Sequence, residues 1–125
     1  MRILVVEDHR DTANVLERAL RQQGYEVESV NTGGGAVLAC GDHTFDVLIA
    51  DIGLPDCDGW ELLQRIKGKT KRAIACSGYA MDSDIERSKE AGFDAHLAKP
   101  VGLAELIQEI EFLLRDVAQE KGPVG

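Results

Sequence analysis

The chain is short of several things, and each shortage narrows what it can do. Lysine and arginine number 14 against 22 aspartates and glutamates, for a net charge of −8 and a pI near 4.8. Nucleic-acid backbones attract Lys/Arg-rich faces, so no direct nucleic-acid partner is expected. No apolar run approaches the roughly 20 residues that span a bilayer, so no membrane insertion is expected. Cys40, Cys57 and Cys76 are odd in number, widely spaced and without a CxxC pair. That argues against a disulfide framework or zinc site and for reduced thiols in a cytoplasmic protein. Met1-Arg2-Ile3 leads straight into an apolar run, which leaves no room for a signal peptide. No Asn-Gly hairpin dipeptide interrupts the chain, which disfavours antiparallel pairing.

What is present is enough for one full core: 125 residues with 44% apolar content. Short β-branched runs at 3–6, 26–30, 47–50, 73–76 and 95–98 alternate with segments of helical spacing. Ala13, Leu16, Ala19 and Leu20 share a face that Gly24 stops. Pro55 and Gly59 mark the loop before a third helix carrying Leu62, Leu63 and Ile66. Asp84 to Ala91 is mostly polar, ends at Gly92, and predicts a helix that buries little. Leu103, Leu106, Ile107, Ile110, Leu113, Leu114 and Val117 form the clearest amphipathic stripe. Alternation of this kind reads as an α/β fold. The predicted form is a flavodoxin-like, doubly wound, five-stranded parallel sheet in the order 2-1-3-4-5, with helices on both faces. Residues 1–118 are expected to form the domain and 119–125 a flexible tail.

Three apolar runs end abruptly in charge: Val6 at Glu7-Asp8, Ala50 at Asp51, and Ala98 at Lys99-Pro100. In an open parallel sheet the carboxyl ends of strands line one crevice, where ligands bind. The predicted strand order makes the first and third strands neighbours, bringing Glu7, Asp8 and Asp51 together. Three carboxylates so placed repel one another, and a hard divalent cation such as Mg²⁺ relieves that. Lys99 adds a positive charge, and Cys76-Ser77 ends the fourth strand with a hydroxyl. Carboxylate, metal, lysine and hydroxyl are the parts needed to transfer a phosphoryl group to an aspartate.

The runs Val6-Glu7-Asp8, Ile49-Ala50-Asp51 with Leu54-Pro55 and Asp58-Gly59, Cys76-Ser77-Gly78, and Leu97-Ala98-Lys99-Pro100 resemble the receiver domain of two-component response regulators. The resemblance spans nearly the whole chain. It implies a phosphorylation-controlled signalling switch rather than an enzyme, one that transfers phosphate only onto itself and loses it slowly. Asp51 would accept a phosphoryl group from a histidine kinase or histidine phosphotransfer protein. Glu7, Asp8, Asp51 and the backbone carbonyl of Gly53 would hold Mg²⁺. Ser77 and Lys99 would bind the phosphoryl group, Lys99-Pro100 would be a cis peptide, and Ser77 with His96 would form the switch. A downstream protein partner is implied, its identity open, and a homodimer through the fourth and fifth elements is among the expected partners. With no effector domain visible after Val117, output is expected by protein contact or from regions outside this chain. Gly-Tyr-Ala-Met after Ser77 and the stretch Phe93-Asp94-Ala95-His96-Leu97 also resemble receivers fused to hybrid histidine kinases.

Three positions depart from the family pattern. Glu7 stands where Asp is commoner. Gly53 puts no side chain over the site, which eases access for water or a phosphatase. His96 replaces a Phe or Tyr, and its titration near neutral pH would couple the switch to protonation.

Plainer readings stand beside these. Asp51 alone would suit a turn, Asp8 could cap the first helix, and Lys99 alone would be a solvated lysine. Thr32-Gly33-Gly34-Gly35 invites a phosphate-loop reading, but position 38 is Leu38 and no Gly-Lys-Ser/Thr follows; a flexible approach to a weak helix is expected. Asp56-Cys57-Asp58-Gly59 echoes a calcium loop whose first and twelfth ligand positions, Leu54 and Arg65, fail it. His9 and His43 show no ligand spacing and are expected at the surface. Trp60 is expected to pack at the start of the third helix, and 67–72 to be a solvated loop. Two other functions compete. A haloacid-dehalogenase-like phosphatase needs a second Asp where Gly53 stands, and a phosphorylation-independent binding module would not need the full set of groups.

Overall fold

The computed structural model describes residues 1–78 and 81–121, with side chains of the last helix as far as Arg115. Ten elements alternate. They are β1 (Arg2–Val6), α1 (Arg10–Gln22), β2 (Glu26–Val30), α2 (Gly33–Asp42), β3 (Phe45–Asp51), α3 (Gly59–Arg65), β4 (Thr70–Ser77), α4 (Asp82–Ala91), β5 (Ala95–Ala98) and α5 (Leu103–Lys121). The strands form one parallel sheet in the order β2-β1-β3-β4-β5. This is the predicted flavodoxin-like architecture.

The two-residue period of a strand sorts the sheet's side chains into two cores. Leu4, Val6, Leu48, Ala50, Ala73 and Ala75 face one side, where Ala36 and Ala39 of α2 and Leu62, Leu63 and Ile66 at α3 cover them. Ile3, Val5, Val47, Ile49, Ile74 and Cys76 face the other, under Leu20 of α1 and Leu106, Ile110, Leu113 and Leu114 of α5. Each fully buried Leu or Ile contributes about 1.5–3 kcal/mol, so the α5 stripe fixes that helix firmly. α4 is different. Ser88 is its buried residue, and polar contacts hold it: Gln64 Nε2 donates to the Ala91 carbonyl at 2.8 Å, and Trp60 Nε1 donates to Ser88 Oγ at 2.8 Å. Among the described residues no helix is long and apolar enough to cross a membrane.

Helix ends correct several local expectations. Gly24 (φ +93°) and Gly92 (φ +112°) end α1 and α4 in the left-handed conformation, as their positions predicted. The approach to α2 is pinned rather than flexible. Thr32 caps it by accepting from the Gly35 amide at 2.9 Å, and the Gly33 and Gly34 amides donate to Asp56 Oδ1 and Oδ2 at 2.8 and 2.9 Å. A helix N-terminus attracts an anion, and here a carboxylate of the same chain supplies it. Those two amides lower the Asp56 pKa. Asp58 caps α3 through the Glu61 amide at 2.7 Å. The calcium-loop echo at 56–59 is therefore a pair of helix anchors.

Residues 67–72 are not all loop. β4 begins at Thr70, because Phe45 and Val47 of β3 pair with Thr70 and Arg72. The helix expected over 84–91 starts at Asp82, and α5 runs to Lys121, into the segment expected as a flexible tail. Residues 122–125 of that tail lie outside the described residues, as do Tyr79 and Ala80 of the Gly-Tyr-Ala-Met run and the Val117 side chain.

Candidate functional site

Strand register builds the crevice. Val6 pairs with Ala50, so Glu7, one residue on, is level with Asp51 at the end of β3. Asp51 pairs with Cys76, and Ser77 with Ala98, which sets Ser77 and Lys99 on the same rim. The loop bonds Ile52 N–H to Cys76 O (2.9 Å) and Lys99 N–H to Ser77 O (2.7 Å) tie these ends together. Lys99-Pro100 is a cis peptide, as the resemblance implied.

At the centre, Lys99 Nζ donates to Asp51 Oδ2 at 2.8 Å and to Glu7 Oε1 at 3.1 Å. Glu7 and Asp51 are buried, 4% and 7% exposed, while Lys99 keeps about a quarter of its side chain in solvent. Burial opposes the Lys99 charge, yet its hydrogen bonds to Asp51 and Glu7 outweigh burial and raise its pKa. The other Asp51 oxygen, Oδ1, accepts from the Gly53 amide at 3.1 Å. Gly53 is exposed, and a Cβ there would meet nothing within 4 Å.

Asp8 lies at the rim beside His9, whose Nδ1 is 3.3 Å from Asp8 Oδ1 and 3.4 Å from Glu7 Oε2. One potential ligand atom from each of Glu7, Asp8, His9 and Asp51 lies within 4.8 Å of the others. His9 is at the surface as expected, but adjacency to the acidic pair brings it into the cluster, which its spacing from the other histidines concealed. It is also the N-cap residue of α1, without a side-chain capping bond. Asp8 therefore does not cap that helix.

Cys76 borders the same crevice but is no rival nucleophile. Burial first of all pushes its thiol up to about 12, so the thiolate is scarce at neutral pH. A cavity of about 480 Å³ opens beside Lys99 and Cys76, walled by Thr12 and Leu16 of α1 and by Val101 and Leu106 near the start of α5.

Ser77 is buried at the end of β4, and His96 Nε2 lies 3.1 Å from its hydroxyl. The opposite ring nitrogen, Nδ1, is 2.7 Å from Ser88 Oγ. Arg87 of α4 covers the Trp60 ring at 4.1 Å from its centroid. Trp60 does sit at the start of α3, but its polar end reaches across to α4. No periodicity announced that contact, because Ser88 and Trp60 are 28 residues apart.

Residues 3–111 match the family model described as the response regulator receiver domain. The chain belongs to that family. The receiver is 33% identical over 114 residues to the transcriptional regulatory protein KdpE of Mycobacterium tuberculosis, covering 90% of this chain and 50% of that protein. It is 33% identical over 112 residues to the sensor histidine kinase RcsC of Salmonella typhi, covering 88% of this chain and 12% of that one. The receiver thus spans about half the length of one curated relative and about an eighth of the other. Among solved structures, a CheY-like receiver domain protein from Methanospirillum hungatei superposes with a TM-score of 0.85 at 33% identity, over 97% of this chain and 98% of that one.

Proposed function

We propose that this receiver accepts a phosphoryl group on Asp51 from a phosphohistidine donor and presents a changed surface to a protein partner. The observation that carries the reading is the buried Asp51 carboxylate, held between the Lys99 ammonium and the Gly53 amide and beside Glu7 and Asp8. An Asp51 oxygen attacks phosphorus, the P–N bond to the donor imidazole breaks, and its electron pair leaves with that nitrogen. Lys99 already holds the attacking carboxylate and moves its charge to the arriving phosphoryl oxygens. Ser77 donates its hydroxyl to one of those oxygens. Carboxylate oxygens are hard ligands that suit Mg²⁺, so Glu7, Asp8 and Asp51, with the Gly53 carbonyl, are the groups that would hold it. When bound, the ion neutralises charge on the transferring group. Membership of a family of signalling switches supports this reading over a phosphatase, and Gly53 stands where a haloacid-dehalogenase-like enzyme needs its second Asp.

Intact-protein mass measured after incubation with a small phosphodonor and Mg²⁺ tests the assignment. One added phosphate, absent in Asp51→Asn, is the expected result. No adduct in either protein, or an undiminished adduct in Asp51→Asn, would refute it.

A further inference from the structure

Four side chains from four elements form a single hydrogen-bonded line: Trp60 (α3), Ser88 (α4), His96 (β5) and Ser77 (β4). Its direction follows from donor chemistry. An indole N–H only donates, so Ser88 Oγ accepts from Trp60 at 2.8 Å. Ser88 is 1% exposed, and among the described residues the other polar atom bonded to its hydroxyl is His96 Nδ1 at 2.7 Å. The Ser88 proton therefore goes to Nδ1. A neutral imidazole that accepts at Nδ1 carries its proton on Nε2, and Nε2 donates to Ser77 Oγ at 3.1 Å. Ser77, receiving a proton from His96, keeps its own proton for another acceptor.

We infer that Ser88 and Trp60 are positioning residues for Ser77: by fixing His96 as the Nε2–H tautomer they turn the Ser77 hydroxyl into a donor toward the crevice. The inference rests on the proposed phosphoryl transfer for its consequence, but the tautomer stands apart from it. The line also runs backwards. When Ser77 moves toward a phosphoryl oxygen, His96 loses or lengthens its bond, and the change reaches Ser88 and Trp60 at the α3–α4 contact. α4 is suited to respond because Ser88 is its buried residue and little apolar surface holds it. Arg87, stacked on Trp60, carries the change to the surface.

The chain has one tryptophan, so its indole N–H gives a single unambiguous NMR signal. At about pH 8, where a free imidazole is neutral, long-range ¹⁵N–¹H spectra of the full chain should show His96 with its proton on Nε2. Ser88→Ala should release that preference, and Ser88→Thr, which keeps the hydroxyl, should restore it. Ser77→Ala should shift the Trp60 indole signal in the wild-type background and leave it unmoved in Ser88→Ala. Trp60→Phe supplies a second variant that keeps a ring in place of the indole donor. It should shift the Ser88-bound Nδ1 resonance. Adduct formation with a small phosphodonor should slow roughly fivefold in Ser88→Ala, about the worth of one ordinary hydrogen bond.

A wild-type His96 protonated on Nδ1, an indole signal deaf to Ser77→Ala, or an unchanged adduct rate in Ser88→Ala would each overturn the inference. Failure to form any adduct would instead remove the Asp51 assignment, and the tautomer and Ser77→Ala results would still decide the relay.

Discussion

Replacing Lys99 by Met tests the electrostatics of the crevice most directly. Glu7 and Asp51 are both buried, and their potential ligand oxygens lie no more than 4.8 Å apart. At an effective dielectric constant of about 20, two unit charges at that distance repel by about 3.5 kcal/mol. Lys99, bonded to both, offsets that repulsion. Its raised pKa means the benefit is fully present below the unfolded lysine value near 10.4 and is lost only as pH rises through the folded value. At pH 7 the whole effect is therefore available to be removed. Met keeps much of the stem's bulk, so packing changes little. Solvent at the rim reduces the cost, and a loss of about 2–4 kcal/mol is expected. For a domain of this size that is a Tm lower by roughly 8–15 °C. Thermal and urea unfolding in the presence of a chelator read it. Mg²⁺ should stabilise the variant more than the wild type at equal concentration, and at a hundredfold excess over the variant's Kd the variant gains about 2.7 kcal/mol. A variant within about 0.5 kcal/mol of wild type in chelator at pH 7 would refute the reasoning.

Three further outcomes follow from individual positions. Gly59→Ala places a Cβ 2.8 Å from the Asp51 carbonyl oxygen and 2.9 Å from Ile52 Cα; backbone must yield, so urea unfolding should show a loss of about 1–3 kcal/mol, and an unchanged midpoint would mean the loop gives freely. Gly53→Met meets open space, so stability should stay within about 0.5 kcal/mol. The acyl phosphate should then decay more slowly when followed by mass, and equal decay would show that access is not limiting. Asp56→Asn should lower the Tm at pH 7. The Asp56 pKa is lowered by the Gly33 and Gly34 amides, so its stabilisation is present above the unfolded value near 3.9 and lost as pH falls through the folded value. The gap between variant and wild type should close in acid, and a gap independent of pH would place the effect in packing.

The sheet and its crevice were legible because both follow from short-range rules. A β-branched run reads as a strand, a parallel sheet aligns strand ends, and charge at those ends then has one place to meet. Glu7, Asp51 and Lys99 are brought together in this way. Side-chain bonds between distant loops leave no such periodic mark. Asp56 looks like half of a calcium loop until β2 and β3 are placed on either side of β1 and its carboxylate meets the Gly33 and Gly34 amides. The same blindness hid Ser88. A serine in a mostly polar helix carries no hydrophobic signal, yet Ser88 is the residue α4 buries, and its hydroxyl meets Trp60 and His96. His96 stood out as a missing aromatic, and the substitution makes sense only with its neighbours. A Phe or Tyr ring has no nitrogen to accept from Ser88 while donating to Ser77. Imidazole can do both at once, so the residue that departs from the family pattern links the crevice to α3 and α4.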